Sequence, residues 1–291
     1  MDNDMTFAEI QENREKFLHR YGLDKLFPQC SVSWDTLMEI GDDYETKCFG
    51  DGREVQKYKG VYYELIQRYI AQVALFQHVH SYRFRIKRTA SLLGKVIRKN
   101  VEHNTTFTKD NYFQKITDLL GLRILYVFKE DYWPVHEQIM AAYESQLAQH
   151  ILVKLKVGDD ETMYNQLRKK YNNVKLERNE TYRSIHYTFY AETENIKNCP
   201  LIEFQTRTIF EEGWSEINHK LVYKKHTGNP GLKKTSDVLS SMVGACDAMG
   251  TLMKLLHDTG VQFDTTELRN EGLTSEQTDN VVEVIRKFLQ S

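Results

Sequence analysis

The stretch Asp118-Leu-Leu-Gly-Leu-Arg-Ile-Leu-Tyr-Val-Phe128 decides how the rest of the chain is read. Residues 119–128 form a compact apolar run rich in β-forming side chains, with an acid at its entrance, and this predicts a central strand. Taken alone, such an acid is as readily a turn or capping residue as a ligand. Two later segments change that balance. Residues 182–191 (YRSIHYTFYA) and 201–207 (LIEFQTR) alternate with period two, so each predicts a strand with two chemically distinct faces. In the first, Ile185, Tyr187 and Phe189 oppose Tyr182, Ser184 and His186; in the second, Ile202, Phe204 and Thr206 oppose Glu203, Gln205 and Arg207.

Helical spacing surrounds these strands. Upstream, Tyr62, Leu65, Ile66, Tyr69, Ile70, Val73 and Phe76 predict a helix within 57–80 that feeds directly into a basic stretch, and residues 1–56 read as shorter helices. Downstream, Phe210, Trp214, Ile217 and Leu221 predict an amphipathic helix on which Trp214 belongs to the core and Glu216 is placed to pair with Lys220. The cluster Gly228-Asn229-Pro230-Gly231 breaks the chain. From Ser236 a stripe of Leu239, Met242, Val243, Cys246, Met249 and Met253 predicts another long helix.

A chain of 291 residues with 41% hydrophobic and 27% charged residues has the composition of an ordinary globular protein, large enough for one domain with helical extensions. A formal charge of −2 argues against an overall electrostatic grip on nucleic acid, but two local basic stretches suit polyanions. Residues 82–99 carry Arg83, Arg85, Lys87, Arg88, Lys95, Arg98 and Lys99 with no acid among them; residues 219–234 carry Lys220, Lys224, Lys225, Lys233 and Lys234. A charge run is usually a solvated face, and the missing acids shift the first stretch toward ligand binding. Cys30, Cys48, Cys199 and Cys246 are scattered without a CxxC pair, which argues against a disulfide framework or zinc site and for a reducing compartment. No apolar run approaches the roughly 18 residues that span a bilayer, and MDNDMTFAEIQ is too acidic for a signal peptide, so a cytoplasmic protein without a membrane partner is expected.

The polar strand faces and the basic stretch together offer two carboxylates, a histidine, a tyrosine and several cations. Phosphoryl transfer needs those groups: carboxylates for Mg²⁺, which keeps waters and substrate oxygens, and cations for phosphate charge. The sequence has neither GxxxxGK[ST] nor GxGxxG, so side chains must hold the phosphates.

Here the chain resembles a known family. Asp118-Leu-Leu-Gly121-Leu-Arg123 resembles the D-x-x-G-x-R motif of RelA/SpoT-family alarmone synthetases, the small and toxic small synthetases included. Tyr182-Arg-Ser184-Ile-His186 resembles their Y-x-S-x-H, and Glu203-Phe-Gln205-Thr-Arg207-Thr208 their E-[IV]-Q-[IV]-R-T. Arg85-x-Lys87-x-x-x-Ser91-x-x-x-Lys95-x-x-Arg98 is similar to the ATP-binding stretch, and Trp214-Ser-Glu216-Ile-Asn-His219-Lys220 to the W-x-x-[IL]-x-H-K helix. The motifs span about residues 80–226 in the family's order.

The resemblance implies an α/β (α+β) fold: a mixed five-stranded sheet of the RelA/SpoT nucleotidyltransferase-like type, flanked by N- and C-terminal helices. It divides the chain into an N-terminal helical segment 1–80, a synthetase domain 81–226 and a C-terminal helical extension 227–291. It implies a pyrophosphokinase that moves the β,γ-diphosphate of ATP to the 3′-hydroxyl of GDP or GTP to make (p)ppGpp, with Mg²⁺ as cofactor. Asp118 would bind Mg²⁺, and Glu203 would be general base or second metal contact. Arg85 and Arg123 would sandwich adenine while Lys87, Ser91, Lys95 and Arg98 receive the ATP phosphates. Tyr182 would stack on the acceptor base; His186, Gln205 and Arg207 would orient the acceptor.

One departure concerns the acceptor. The family commonly reads K-x-N-G-Y where this chain reads Arg178-Asn179-Glu180-Thr181-Tyr182, so the glycine is replaced by Thr181 and the loop gains an acid. A toxin that pyrophosphorylates the tRNA 3′ end and blocks translation is therefore the alternative, its basic stretches tracking RNA, and a catalytically inactive nucleotide- or RNA-binding module is the third reading. An antitoxin and a second copy of the chain are the protein partners left open. His257-Asp258 resembles a hydrolase HD signature without its companion ligands, so no (p)ppGpp hydrolase domain is expected. The acids of 258–291 read as a solvated helical face.

Overall fold

In a computed structural model, which describes residues 4–50, 60–159, 161–191, 199–223 and 229–259, the chain opens with α1 (Phe7–Glu12), α2 (Arg14–Arg20) and α3 (Trp34–Phe49). Each starts on side-chain chemistry that satisfies free helix N–H groups: Thr6 and Glu9 form a capping box, and Asn13 and Ser33 accept from Lys16 N and Thr36 N. Helix α4 (Val61–Val73) buries Tyr62, Leu65, Ile66, Tyr69 and Val73, five of the periodic positions. It ends before the basic stretch instead of running into it. A loop and then β1 (Ser81–Ile86) follow, so the first cations lie on a strand.

The chain continues through α5 (Thr89–His103), α6 (Tyr112–Lys115), β2 (Leu120–Tyr126), α7 (Tyr132–Tyr143), β3 (Ile151–Lys156), α8 (Thr162–Lys170) and β4 (Val174–Asn179). Then come β5 (Ser184–Tyr190), β6 (Leu201–Thr208), α9 (Ile209–Asn218), a π-helical turn His219–Tyr223, and α10 (Pro230–Thr259), which begins on Pro230 rather than near Ser236. Lys224 and Lys225 of the second basic stretch, and the acidic residues after 259, lie outside the described residues.

The six strands form one mixed sheet in the order β1-β2-β6-β5-β3-β4, with β2/β6 and β3/β4 parallel and the other pairs antiparallel. This is the expected α/β class with helices on both sides of the strands in sequence, but six strands stand where the resemblance implied five. Both edges are built from polar segments, SYRFRI and VKLERN, that carry no apolar run; Tyr82 and Phe84 of β1 remain about 40% exposed. Edge strands leave one row of backbone groups unpaired and are commonly guarded by charged side chains, so they leave a weak hydrophobic signal.

The predicted alternation sorts the sheet's faces. Leu120, Leu122 and Ile124, Ile202, Phe204 and Thr206, and Ile185, Tyr187 and Phe189 are all buried. Against them α4 and α7 supply aromatic rings: Tyr69 lies 5.8 Å and Tyr143 5.4 Å from Phe204, and Phe189 5.2 Å from Phe204. Among the described residues no helix is long and apolar enough to cross a membrane. His257 and Asp258 bond each other at 3.1 Å on the exposed end of α10.

Candidate active site

Strand register brings the polar residues into rows across the opposite face. One row is Arg85–Gly121–Glu203–Thr188, and the next is Arg83–Arg123–Gln205–His186. Gly121, having no side chain, leaves an opening between Arg85 and Glu203. Three sequence motifs widely separated along the chain thus meet through backbone pairing of β1, β2, β6 and β5.

Asp118 sits just before β2. Its Oδ2 accepts from Lys87 Nζ at 2.7 Å and its Oδ1 from Lys95 Nζ at 2.8 Å, with Arg85 Nη2 3.7 Å away. Lys87 follows β1 and Lys95 projects from α5, so the acid gathers cations from two elements. Burial alone would push the Asp118 carboxyl up, but the two lysines hold it well below the ordinary carboxylate range. Burial lowers Lys87, against the opposing pull of Asp118. Tyr44 of α3 fixes the geometry by donating to the Lys87 carbonyl at 2.6 Å.

Glu203 lies in the middle of β6. Its Oε1 is 3.1 Å from His186 Nδ1, and its Oε2 accepts from Gln205 Nε2 at 2.5 Å. Burial pushes this carboxyl up and His186 and Gln205 pull it down; the net direction is down. The charge of Asp118 also acts on it, so the two carboxylates are near neighbours electrostatically. Among the described residues no group of three or more His, Cys, Asp and Glu converges on one point. Asp118 and Glu203 are carboxylates of the kind that Mg²⁺ would take alongside water and phosphate oxygens.

The third patch centres on Tyr182. Arg207, 1% exposed, donates to the Tyr182 hydroxyl and to Gln205 Oε1 at 2.6 Å, and its guanidinium carbon stands 4.9 Å over the Tyr182 ring. The Tyr182 hydroxyl is 3.4 Å from His186 Nε2. Trp214 is buried as the spacing predicted, with its ring centroid 6.4 Å from that of Tyr182. Among the described residues Thr181 is not one of the non-glycine positions with positive φ, so the backbone there suits an ordinary side chain.

Arg123 and Arg98 are differently placed. Arg123 donates to Glu212 at 2.9 Å and Glu216 at 2.6 Å on α9, and the charge of Lys220 also acts on Glu216. Arg98 donates to the Tyr21 carbonyl at 3.3 Å, while Ser91 stands one turn before Lys95 on the same partly buried side of α5. Of the twelve residues selected from sequence, Asp118 with Lys87, Lys95 and Arg85 forms one cluster, and Glu203, His186, Gln205, Arg207 and Tyr182 form a second, linked network.

Sequence reading gave no holding role to Asn179, Tyr44, Glu212 or Glu216, which fix those residues in place. Asn179 Oδ1 accepts from Thr181 N at 3.0 Å and Tyr182 N at 2.5 Å, and its Nδ2 donates to the Tyr182 carbonyl at 2.8 Å. Its one available signal was the preference of asparagine for bonding backbone two and three residues on.

Residues 84–228, which contain both clusters, match the family described as the region found in RelA/SpoT proteins. The chain belongs to the RelA/SpoT family through this region. The RelA/SpoT region begins within β1 and ends just beyond the π-helical turn, so every residue selected above falls inside it. Solved structures similar to the chain include small alarmone synthetase 1 from Bacillus subtilis, at 21% identity over 68% of this chain and 93% of that one, TM-score 0.45. A GTP pyrophosphokinase family protein from Streptococcus pneumoniae is 19% identical over 79% of this chain and 95% of that one, TM-score 0.44. Small alarmone synthetase 2 from Bacillus subtilis is 21% identical over 68% and 96%, TM-score 0.45. No curated protein matches the chain.

Proposed function

We propose that this chain is an ATP-dependent pyrophosphokinase that transfers the β,γ-diphosphate of ATP to the 3′-hydroxyl of GDP or GTP. The observation that carries this reading is the pairing of a lysine-held acid, Asp118, with a histidine-held acid, Glu203, on one sheet face of a RelA/SpoT region. The catalytic unit is residues 81–226, with 1–80 and 227–291 as helical extensions.

In this reading Lys87, Lys95 and Arg85 exchange part of their attraction to Asp118 for the triphosphate, and Ser91 and Arg98 extend the phosphate track along α5. Arg85 and Arg123 bracket the adenine. Asp118, with Glu203 alongside, holds Mg²⁺, which when bound would neutralise phosphate charge and orient the diphosphate. Tyr182 stacks on the acceptor base, while His186, Gln205 and Arg207 orient its ribose and phosphates. The acceptor 3′-oxygen forms a bond to the β-phosphorus, the α–β bridging bond breaks, and AMP leaves. Glu203 receives the hydroxyl proton, which its ionised state at neutral pH permits.

The test is purified protein with Mg²⁺ and ATP labelled in its γ-phosphate, offered GDP, GTP or deacylated tRNA in parallel. Label in a guanine nucleotide supports the proposal. Label at the tRNA 3′ end replaces it with the translation-blocking reading, and label in none replaces it with a binding module.

A further inference from the structure

Helix α10 is turned with its polar side inward. Ser240 and Asp247 are 1% and 2% exposed, whereas Val238, Met242 and Met253 are 60%, 59% and 68% exposed. The helix packs mainly against α9 and adds directional polar contacts from its serine side. Those contacts converge on the loop that carries Tyr182. Ser240 Oγ donates to the Thr181 carbonyl at 2.6 Å, and the Ser240 carbonyl accepts from Arg183 Nη1 at 3.2 Å. Arg183 is also held by Asp159, through Nε at 2.6 Å and Nη2 at 2.8 Å, a bidentate geometry. Its guanidinium lies against Gly244, where a Cβ would stand 3.3 Å from Nη2. Lys233 pairs with Glu180 at 2.9 Å and Lys156 Nζ donates to Ser241 Oγ at 2.6 Å, closing both flanks.

We propose that Arg183, seated on α10 at Ser240 and Gly244 and clamped by Asp159, is a positioning residue that sets the acceptor loop and so determines acceptor affinity. This rests on the proposed function, in which Tyr182 receives the acceptor base. The loop 180–182 is pinned from one side by Asn179 and from the other by α10, and Arg183 joins α10 to the β3–α8 connection. Freeing it lets Tyr182 leave the Arg207 guanidinium. The ATP cluster at Asp118, built from β1, α5 and β2, has no part in that linkage.

The experiment compares wild type, Arg183→Gln, Ser240→Ala and the outward-facing control Met242→Ser. Two readouts are taken: amide hydrogen exchange of segment 179–184, and KM for acceptor and for ATP with kcat. Arg183→Gln should raise acceptor KM about tenfold and Ser240→Ala about threefold, with ATP KM within about twofold, since each loses a charge-assisted or neutral hydrogen bond. Exchange of 179–184 should accelerate in the same order and stay at the wild-type rate in Met242→Ser. Wild-type exchange in both loop variants overturns the proposal whatever the activity. Faster exchange with acceptor and ATP KM rising together also overturns it, because that marks general loosening. Wild-type protein that turns over no acceptor fails the proposed function instead, and the exchange result still decides whether α10 sets the loop. Ser240→Ala removes a single hydroxyl, so the test stands if Arg183→Gln does not fold.

Discussion

Asp118 and Lys87 share a hydrogen bond of 2.7 Å with only a tenth of the Lys87 side chain exposed, so each charge has traded most of its water for the other. Such a pair is costly to split, because the remaining charge keeps its desolvation penalty without its partner. Lys95 still contacts Asp118 when Lys87 is gone, which limits the damage. Lys87→Met is expected to cost about 1–3 kcal/mol of stability and to weaken ATP binding more than tenfold. Thermal unfolding and equilibrium ATP titration check both; unchanged affinity would remove Lys87 from the phosphate site.

Asp118 also fixes the response to acid. Its carboxyl is held below its unfolded value, so its stabilising contribution is present above the ordinary aspartate range and disappears as pH falls through and below it. Wild type should lose stability faster than Asp118→Asn as pH falls from about 5 toward 3, with the variant less stable at pH 7. Parallel acid-titration curves for the two proteins would contradict the assignment.

Glu203 is ionised at neutral pH, its lowered carboxyl kept so by His186 and Gln205 against the effect of burial. Glu203→Gln preserves shape and removes the proton acceptor. Turnover should fall by about 10²–10⁴ with ATP affinity kept within a few-fold, the range expected for loss of a general base. Wild-type activity should decline on the acid side only as Glu203 protonates, below the ordinary glutamate range. A Glu203→Gln enzyme with near-normal kcat would sink the base assignment.

A second pH effect belongs to the joint between α9 and α10. Glu211 is half-buried, and its desolvation, followed by the charge of Asp247, raises its carboxyl to about 7. A raised carboxylate binds protons more tightly folded than unfolded, so its contribution is present below the unfolded value and is lost as pH rises through about 7. Wild type should lose several degrees of Tm between pH 5 and 8. Glu211→Gln should show a flatter profile and the higher Tm at pH 8; identical profiles would refute the coupling.

The apolar face offers a control. Phe204 is fully buried among Tyr69, Tyr143 and Phe189, so Phe204→Ala leaves a cavity and should cost about 3–5 kcal/mol in denaturant unfolding. A loss under about 1 kcal/mol would mean the site collapses around the gap.

Where side-chain period equals backbone period, the sequence was readable. The alternation in 182–191 and 201–207 assigns Ile185, Tyr187, Phe204 and Thr206 to the core and His186, Glu203 and Gln205 to the opposite face, and the strands sort them so. The edge strand β1 was hidden because Arg83 and Arg85 dominate a run with two half-exposed aromatics. Register was not legible either: nothing local in Gly121 or Glu203 specifies that they stand opposite each other, since backbone pairing between distant segments sets it. The orientation of α10 ran against its pattern. Met242, Cys246, Met249 and Met253 form a helical stripe, yet they are exposed and the serine side is docked. Hydrogen bonds to Thr181 and from Arg183 decide that orientation, and such pairings depend on partners about 60 residues away.

The most direct measurement follows the fate of each ATP phosphate in one reaction with GDP or GTP and Mg²⁺. ATP labelled separately at the α-, β- or γ-position is incubated with wild type and with Asp118→Asn, and acceptor and AMP are separated. The β and γ labels should move together onto the guanine nucleotide, the α label should stay with AMP in equal amount, and Asp118→Asn should abolish both. Transfer of γ label without β label, or turnover undiminished in Asp118→Asn, would contradict the proposed transfer.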